Sequence, residues 1–130
     1  MIEKWHKILS EADAEGLAGL IADDAVFYSP IIYSPQKGKE IVVLYLSAAY
    51  LLLFNERFKY VHEWRTHQSA VLEFETEVEG IYINGIDIIE WNEDDHIISF
   101  KVMIRPFKAV DLIKQKMIEM MQSGVDGIEL

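Results

Sequence analysis

The stretch Ala22-Asp23-Asp24-Ala25-Val26-Phe27-Tyr28-Ser29-Pro30, with Gly38 eight residues further on, decides how the chain is read. Two consecutive acids close a helical segment. A short apolar run then reads as a strand, Ser-Pro breaks it, and a glycine opens the next helix. Toward the N-terminus, Ile2, Trp5, Ile8, Leu9 and Ala12 keep a helical spacing. Leu17, Leu20 and Ile21 continue that apolar face beyond a bend at Gly16. The reading is a helix over 2–21, a strand over 25–29 and a loop bracketed by Pro30 and Pro35.

Beyond Gly38 a second long helix is predicted over 39–55. Ile41, Val42, Val43, Leu44 and Leu46, then Leu51 to Phe54, leave it apolar nearly all round, as in a helix buried on more than one side. The period then drops to two. Tyr60, His62 and Trp64 alternate with Val61, Glu63 and Arg65. Leu72, Phe74, Thr76 and Val78 alternate with Glu73, Glu75, Glu77 and Glu79. A connection over 80–85 leads to a strand over 86–91, and Asn92-Glu93-Asp94-Asp95 reads as a turn. A strand over 97–105 ends at Pro106, and a last helix covers 108–122. Residues 1–122 read as one domain and 123–130 as a frayed tail.

Helices first and long strands after them argue for α+β, with the helices on one face of a bent antiparallel sheet. The inner faces would carry Leu72, Phe74, Asp87, Ile89, Trp91, Phe100, Val102 and Ile104. The outer face would carry Glu73, Glu75 and Glu77, offset by Lys101 and Arg105 on a neighbouring strand.

Bulk properties exclude several functions. The 130 residues carry 22 acids against 12 bases, a formal charge of −10, which repels phosphate backbones and anionic membranes. The apolar run from Ala48 to Phe54 is far short of the ~20 residues needed to span a bilayer. Met1-Ile2-Glu3-Lys4-Trp5-His6 lacks the basic and apolar segments of a signal peptide. There is no cysteine, hence no thiolate nucleophile and no disulfide frame. The expectation is a cytoplasmic protein.

From Trp5 to about Met117 the pattern resembles the NTF2-like superfamily and its SnoaL-like members, which include polyketide cyclases and ketosteroid isomerases. Asp23-Asp24-Ala25 with Ser29-Pro30 is similar to the segment that carries the general base in ketosteroid isomerases. Ile86-Asp87-Ile88-Ile89-Glu90-Trp91 is similar to the late strand that carries an acid there. Lys101-Val102-Met103-Ile104-Arg105-Pro106 is similar to the closing strand of SnoaL-like proteins. The resemblance implies a cystatin-like cone, a bent sheet wrapped around N-terminal helices. It also implies a homodimer through the open sheet face.

In ketosteroid isomerases a base carboxylate works with a tyrosine and a protonated aspartate. By the resemblance, Asp87 matches the protonated aspartate, while Trp5 stands for the tyrosine and Ser29 for the base. Serine is no competent base near neutral pH, and indole has one weak donor and does not titrate. Isomerase chemistry by that route is not expected.

Asp87 lies between two isoleucines on an otherwise apolar face. It reads as a pocket carboxyl, or as a structural one satisfied by Trp5, His6 or His62. His62, on the face predicted to hold Tyr60 and Trp64, is a candidate general base, or a histidine with one satisfied hydrogen bond or an exposed position. Tyr60 would share the proton-transfer work with Asp87 and His62. Trp5, Phe27, Ser29, Tyr33, Phe54, Phe74, Trp91, Phe100 and Val102 are the predicted pocket lining, and plain core is the alternative for most of the aromatic ones. The four histidines lack metal-ligand spacing, and no cofactor is expected. Two functions stay open. One is binding of a small, mostly apolar molecule in the cone, with isomerisation, cyclisation or dehydration as the chemistry. The other is a non-catalytic binding or dimerisation module.

Overall fold

The structure is a computed structural model that describes residues 1–122; the predicted tail, 123–130, lies outside the described residues. In chain order the elements are α1 (Ile2–Glu11), α2 (Ala14–Leu20), β1 (Ile21–Tyr28), β2 (Gln36–Lys37), α3 (Lys39–Leu53), β3 (Lys59–Arg65), β4 (Ser69–Val78), β5 (Ile81–Trp91), β6 (Ile97–Arg105) and α4 (Phe107–Gln122). The six strands form one sheet in the order β2-β1-β6-β5-β4-β3. Every neighbouring pair is antiparallel except β1 with β6. Helices and sheet enclose a core centred on Tyr45, Phe74, Phe100, Leu72 and Ile89. No described helix is long and apolar enough to cross a membrane.

The first helix breaks earlier than its periodicity predicts. Ala12 takes left-handed backbone (φ 51), and the Asp13 N–H returns to the Ile8 carbonyl at 3.1 Å. These are the marks of a helix C-terminus. Asp13 then caps α2 by accepting the Gly16 N–H at 2.9 Å. Gly16 is therefore not the bend. A Cβ there would stand 2.3 Å from the capping carboxylate. Asp23 and Asp24 do not stop a helix either. They lie exposed inside β1, where its register with β6 slips between Ile21 and Val26.

The predicted connection over 80–85 is strand. Glu79 (φ 51) and Gly80 (φ 79) alone turn the chain, with Val78 facing Ile81. Two positive φ angles in a two-residue loop match the twist of the flanking strands. Gly85 falls in mid-strand, beneath the Phe74 ring. The inner face runs as the alternation predicts, with Leu72, Phe74, Asp87, Ile89, Trp91, Phe100 and Val102 buried and Ile104 half-buried. The acidic row is offset differently, because β5 separates β4 from β6. Glu77 meets Arg57 at 3.0 Å, Glu75 accepts from the Tyr82 hydroxyl, and Glu73 is held by His62 and Asn84. Lys101 instead lies over the Tyr28 ring.

A Cβ on Gly85 would sit 2.5 Å from Phe74 Cζ and 2.6 Å from the Met103 carbonyl oxygen. The carbonyl is backbone and cannot turn aside. Gly85→Ala is expected to lower stability by about 1–3 kcal/mol, the usual cost of overpacking, as measured by urea denaturation.

Candidate functional site

A chain of two hydrogen bonds organises the interior. The Trp5 indole donates to the Tyr60 hydroxyl at 3.1 Å, and the Tyr60 hydroxyl donates to Asp87 Oδ2 at 2.7 Å. Three elements meet there: Trp5 comes from α1, Tyr60 from β3 and Asp87 from β5. Asp87 is buried, and its other oxygen, Oδ1, accepts no hydrogen bond from a described residue. That carboxyl lines a cavity of about 50 Å³, whose remaining wall is apolar or aromatic: Leu9, Leu46, Tyr50, Phe54, Phe58, Phe74, Phe100 and Val102 are in it.

The environment sets the charge state. Burial pushes the Asp87 carboxyl up to about 7, against the pull of the Tyr60 hydrogen bond. Burial, and then the negative charge of Asp87, push the Tyr60 phenol well above its ordinary range. Tyr60 thus stays protonated and keeps donating. Asp87 is left as the titrating group of the cavity, poised near neutrality where a general acid or base works best.

A bulge in β3 aims these side chains. Tyr60 faces Phe74 and His62 faces Glu73, so two steps along β3 match one along β4. The extra residue, Val61, reverses the alternation. Tyr60 therefore points inward, while His62 and Trp64 point out. His62 is exposed, bonds Glu73 Oε1 at 3.0 Å and stacks on Trp64. The shared face predicted for Tyr60 and His62 does not form, and His62 does not face Asp87.

Of the predicted lining, the structure brings Trp5, Phe54, Phe74, Phe100 and Val102 to the Asp87 cavity. Phe27 and Ser29 line a separate space of about 30 Å³ that shares Ala49, Leu53 and Val102 with the first. The Ser29 hydroxyl already accepts the N–H groups of Ile31 and Ile32, at 2.9 and 3.2 Å. Tyr33 is fully exposed, and Trp91 is buried outside the cavity wall. Sequence reasoning missed Phe58, which packs against Phe54, Tyr60 and Phe74. The signal was present: Tyr50, Phe54 and Phe58 recur every four residues, and their rings form one column at 4.8 and 4.9 Å. Among the described residues no three His, Asp or Glu side chains cluster to hold a metal.

The fold is shared with known proteins. A steroid delta-isomerase from Pseudomonas aeruginosa superposes with a TM-score of 0.88 at 31% identity, over 94% of this chain and 89% of its own. The chain belongs to the NTF2-like/SnoaL-like superfamily. An uncharacterised bacterial protein with a cystatin-like fold from Silicibacter pomeroyi gives 0.82 at 26% identity, over 91% of this chain and 82% of that one. An NTF2-like protein of unknown function from Mesorhizobium loti gives 0.68 at 14%, over 81% and 88%, and shows the fold alone. No family profile matches the chain, and no curated protein matches it. This NTF2-like chain thus has the cone, and at its centre a single buried carboxyl.

Because Asp87 is held near 7 when folded and titrates near 3.8 when free, the folded state binds more protons between those values. Its burial therefore costs stability increasingly as pH rises from about 4 to 7, and the full cost stands above 7. Asp87→Asn cannot ionise. The stability of the wild type relative to Asp87→Asn is expected to fall by about 2–3 kcal/mol between pH 5 and pH 8. Urea titrations of both proteins at the two pH values measure it, and a constant difference would contradict the assigned charge state.

Proposed function

We propose that this NTF2-like protein binds a small, mostly apolar, uncharged molecule through an oxygen placed against Asp87 Oδ1, and exchanges a proton with it. One observation carries the reading: a buried carboxyl that lines an otherwise apolar cavity has one oxygen fixed by Tyr60 and the other without a hydrogen bond from a described residue. Ligand sites are typically apolar with a few placed polar groups. In its protonated form Asp87 donates to a carbonyl or hydroxyl oxygen. In its ionised form it takes a proton from carbon or oxygen and returns it.

The chemistry this supports is isomerisation, cyclisation or dehydration run through one carboxyl. The name of the Pseudomonas aeruginosa relative, a steroid delta-isomerase, favours proton transfer as the reaction type. A second base at Ser29 is not part of the proposal, since that hydroxyl is occupied by two backbone N–H groups. Asp87 and Tyr60 carry the work, and His62, on the far face, has no share in it.

The outer sheet face supports a second reading, a homodimer. Trp64, Tyr82 and Met103 are exposed on it, beside half-buried Ile86 and Ile88. The acids Glu73, Glu75 and Glu77 each have a local partner, so like charges do not forbid self-pairing. Light scattering at high micromolar protein is expected to give twice the chain mass, and Trp64→Lys to halve it. A monomer at that concentration would remove the dimer.

The binding reading has a pH signature. A neutral ketone bound by the protonated carboxyl should lose affinity as pH rises through 7. From pH 5.5 to 8.5 the loss for 2-butanone is expected to reach about thirtyfold, the factor by which a group titrating near 7 loses its proton. Asp87→Asn should flatten the profile. Identical profiles for wild type and variant, by titration calorimetry, would show that Asp87 is not the anchor.

A further inference from the structure

We propose that the ligand carries an aliphatic tail, and that the tail lies in the groove between α1, α2 and α3 while the oxygen-bearing head meets Asp87. The inference rests on the reading of Asp87 as anchor. The cavity at Asp87, about 50 Å³, has about a quarter of the volume of the groove beside it. It takes the head of an organic molecule and little more. The groove beside it measures about 210 Å³.

The two spaces adjoin. Trp5, Leu9, Leu46 and Tyr50 line both, so one layer of side chains divides them. Leu9 and Tyr50, both half-buried, stand between the two, and Tyr50 is stacked on Phe54. The walls differ in chemistry. Rings dominate around Asp87, with Tyr50, Phe54, Phe58, Phe74 and Phe100. The groove adds Ile8, Leu17 and Leu51, all aliphatic. Flat rings suit a planar carbonyl head, and branched aliphatic walls suit a flexible hydrocarbon chain. Leu51 stands 72% exposed at the groove, a large apolar side chain that a bound tail would cover. The groove's polar members are Asp13 and Ser47, and the Asp13 carboxylate is engaged with Gly16.

Calorimetric titration with 2-butanone, 2-heptanone and 2-nonanone tests the assignment. Affinity is expected to rise about fourfold for each added methylene until the groove is full. Leu51→Trp and Ser47→Trp, which bring an indole to the groove, are expected to cut the 2-nonanone to 2-butanone affinity ratio at least tenfold. Leu51 is on the surface, so its variant reports even if Ser47→Trp does not fold. A wild-type ratio near one would overturn the tail assignment, as would a large ratio that both variants leave unchanged. The pH profile separates this from the underlying reading. A chain-length gain without loss of affinity above pH 7 would remove Asp87 as anchor and leave the tail in the groove. A pH-dependent head with no chain-length gain would do the opposite.

Discussion

The hydrogen bond from Tyr60 to Asp87 is the constraint around which the rest is arranged. It spans from the edge strand β3 across β4 to the central strand β5, and so ties the edge of the sheet to its middle on the inner face. The Trp5 indole completes it from above and seats α1. Two of the three groups are satisfied within it and Asp87 keeps one oxygen over, and hydrogen bonds in a low-dielectric interior hold such a chain in one arrangement. Loss of Tyr60 would strip Asp87 of its donor and Trp5 of its acceptor together.

Further polar contacts hold α1, but on the surface. Arg65 joins Glu3 and Glu63, each at 2.5 Å, and His6 meets Glu63 at 2.8 Å. Burial pushes the Glu63 carboxyl up, yet the hydrogen bonds from His6 and Arg65 outweigh it and leave it below its ordinary range. Exposed ion pairs of this kind add little to stability, because solvent screens them and ordering the side chains costs entropy. Burial of Ile2 and Trp5 does more, since full burial of a large apolar side chain is worth about 1.5–3 kcal/mol. The helix is held from its apolar face, and the charged cluster sets its orientation.

Periodicity carried much of this site. Alternation over 72–78 and 86–91 was enough to put Phe74 and Asp87 on one inner face, and the strand over 97–105 brought Phe100 and Val102 opposite. Irregularities were what the sequence hid. A single bulge residue, Val61, decides that Tyr60 enters the cavity and His62 leaves it, and no residue type announces a bulge there. The Glu79-Gly80 turn was masked because glutamate seldom takes positive φ, so Gly85 looked like loop when it is strand packed under a ring. The α1–α2 break was hidden in the same way by Ala12 in left-handed backbone, with the nearby Gly16 a more obvious suspect.

The same desolvation that raises the Asp87 carboxyl toward neutrality restricts what it can meet. Among the described residues no lysine or arginine lines the cavity, and the chain carries a formal charge of −10. An anionic ligand would be repelled at long range and would find no counter-charge on arrival. A cation would need Asp87 ionised in an apolar cavity, where both charges lose their water and the attraction seldom repays the loss. A neutral molecule with one exposed oxygen meets neither penalty. It would give Asp87 a second hydrogen bond beside the one from Tyr60, and each carbon it brings would displace water from apolar wall. On the proposed reading the site would discriminate chiefly by charge and by the position of a single oxygen, leaving the extent of the hydrocarbon to the neighbouring groove.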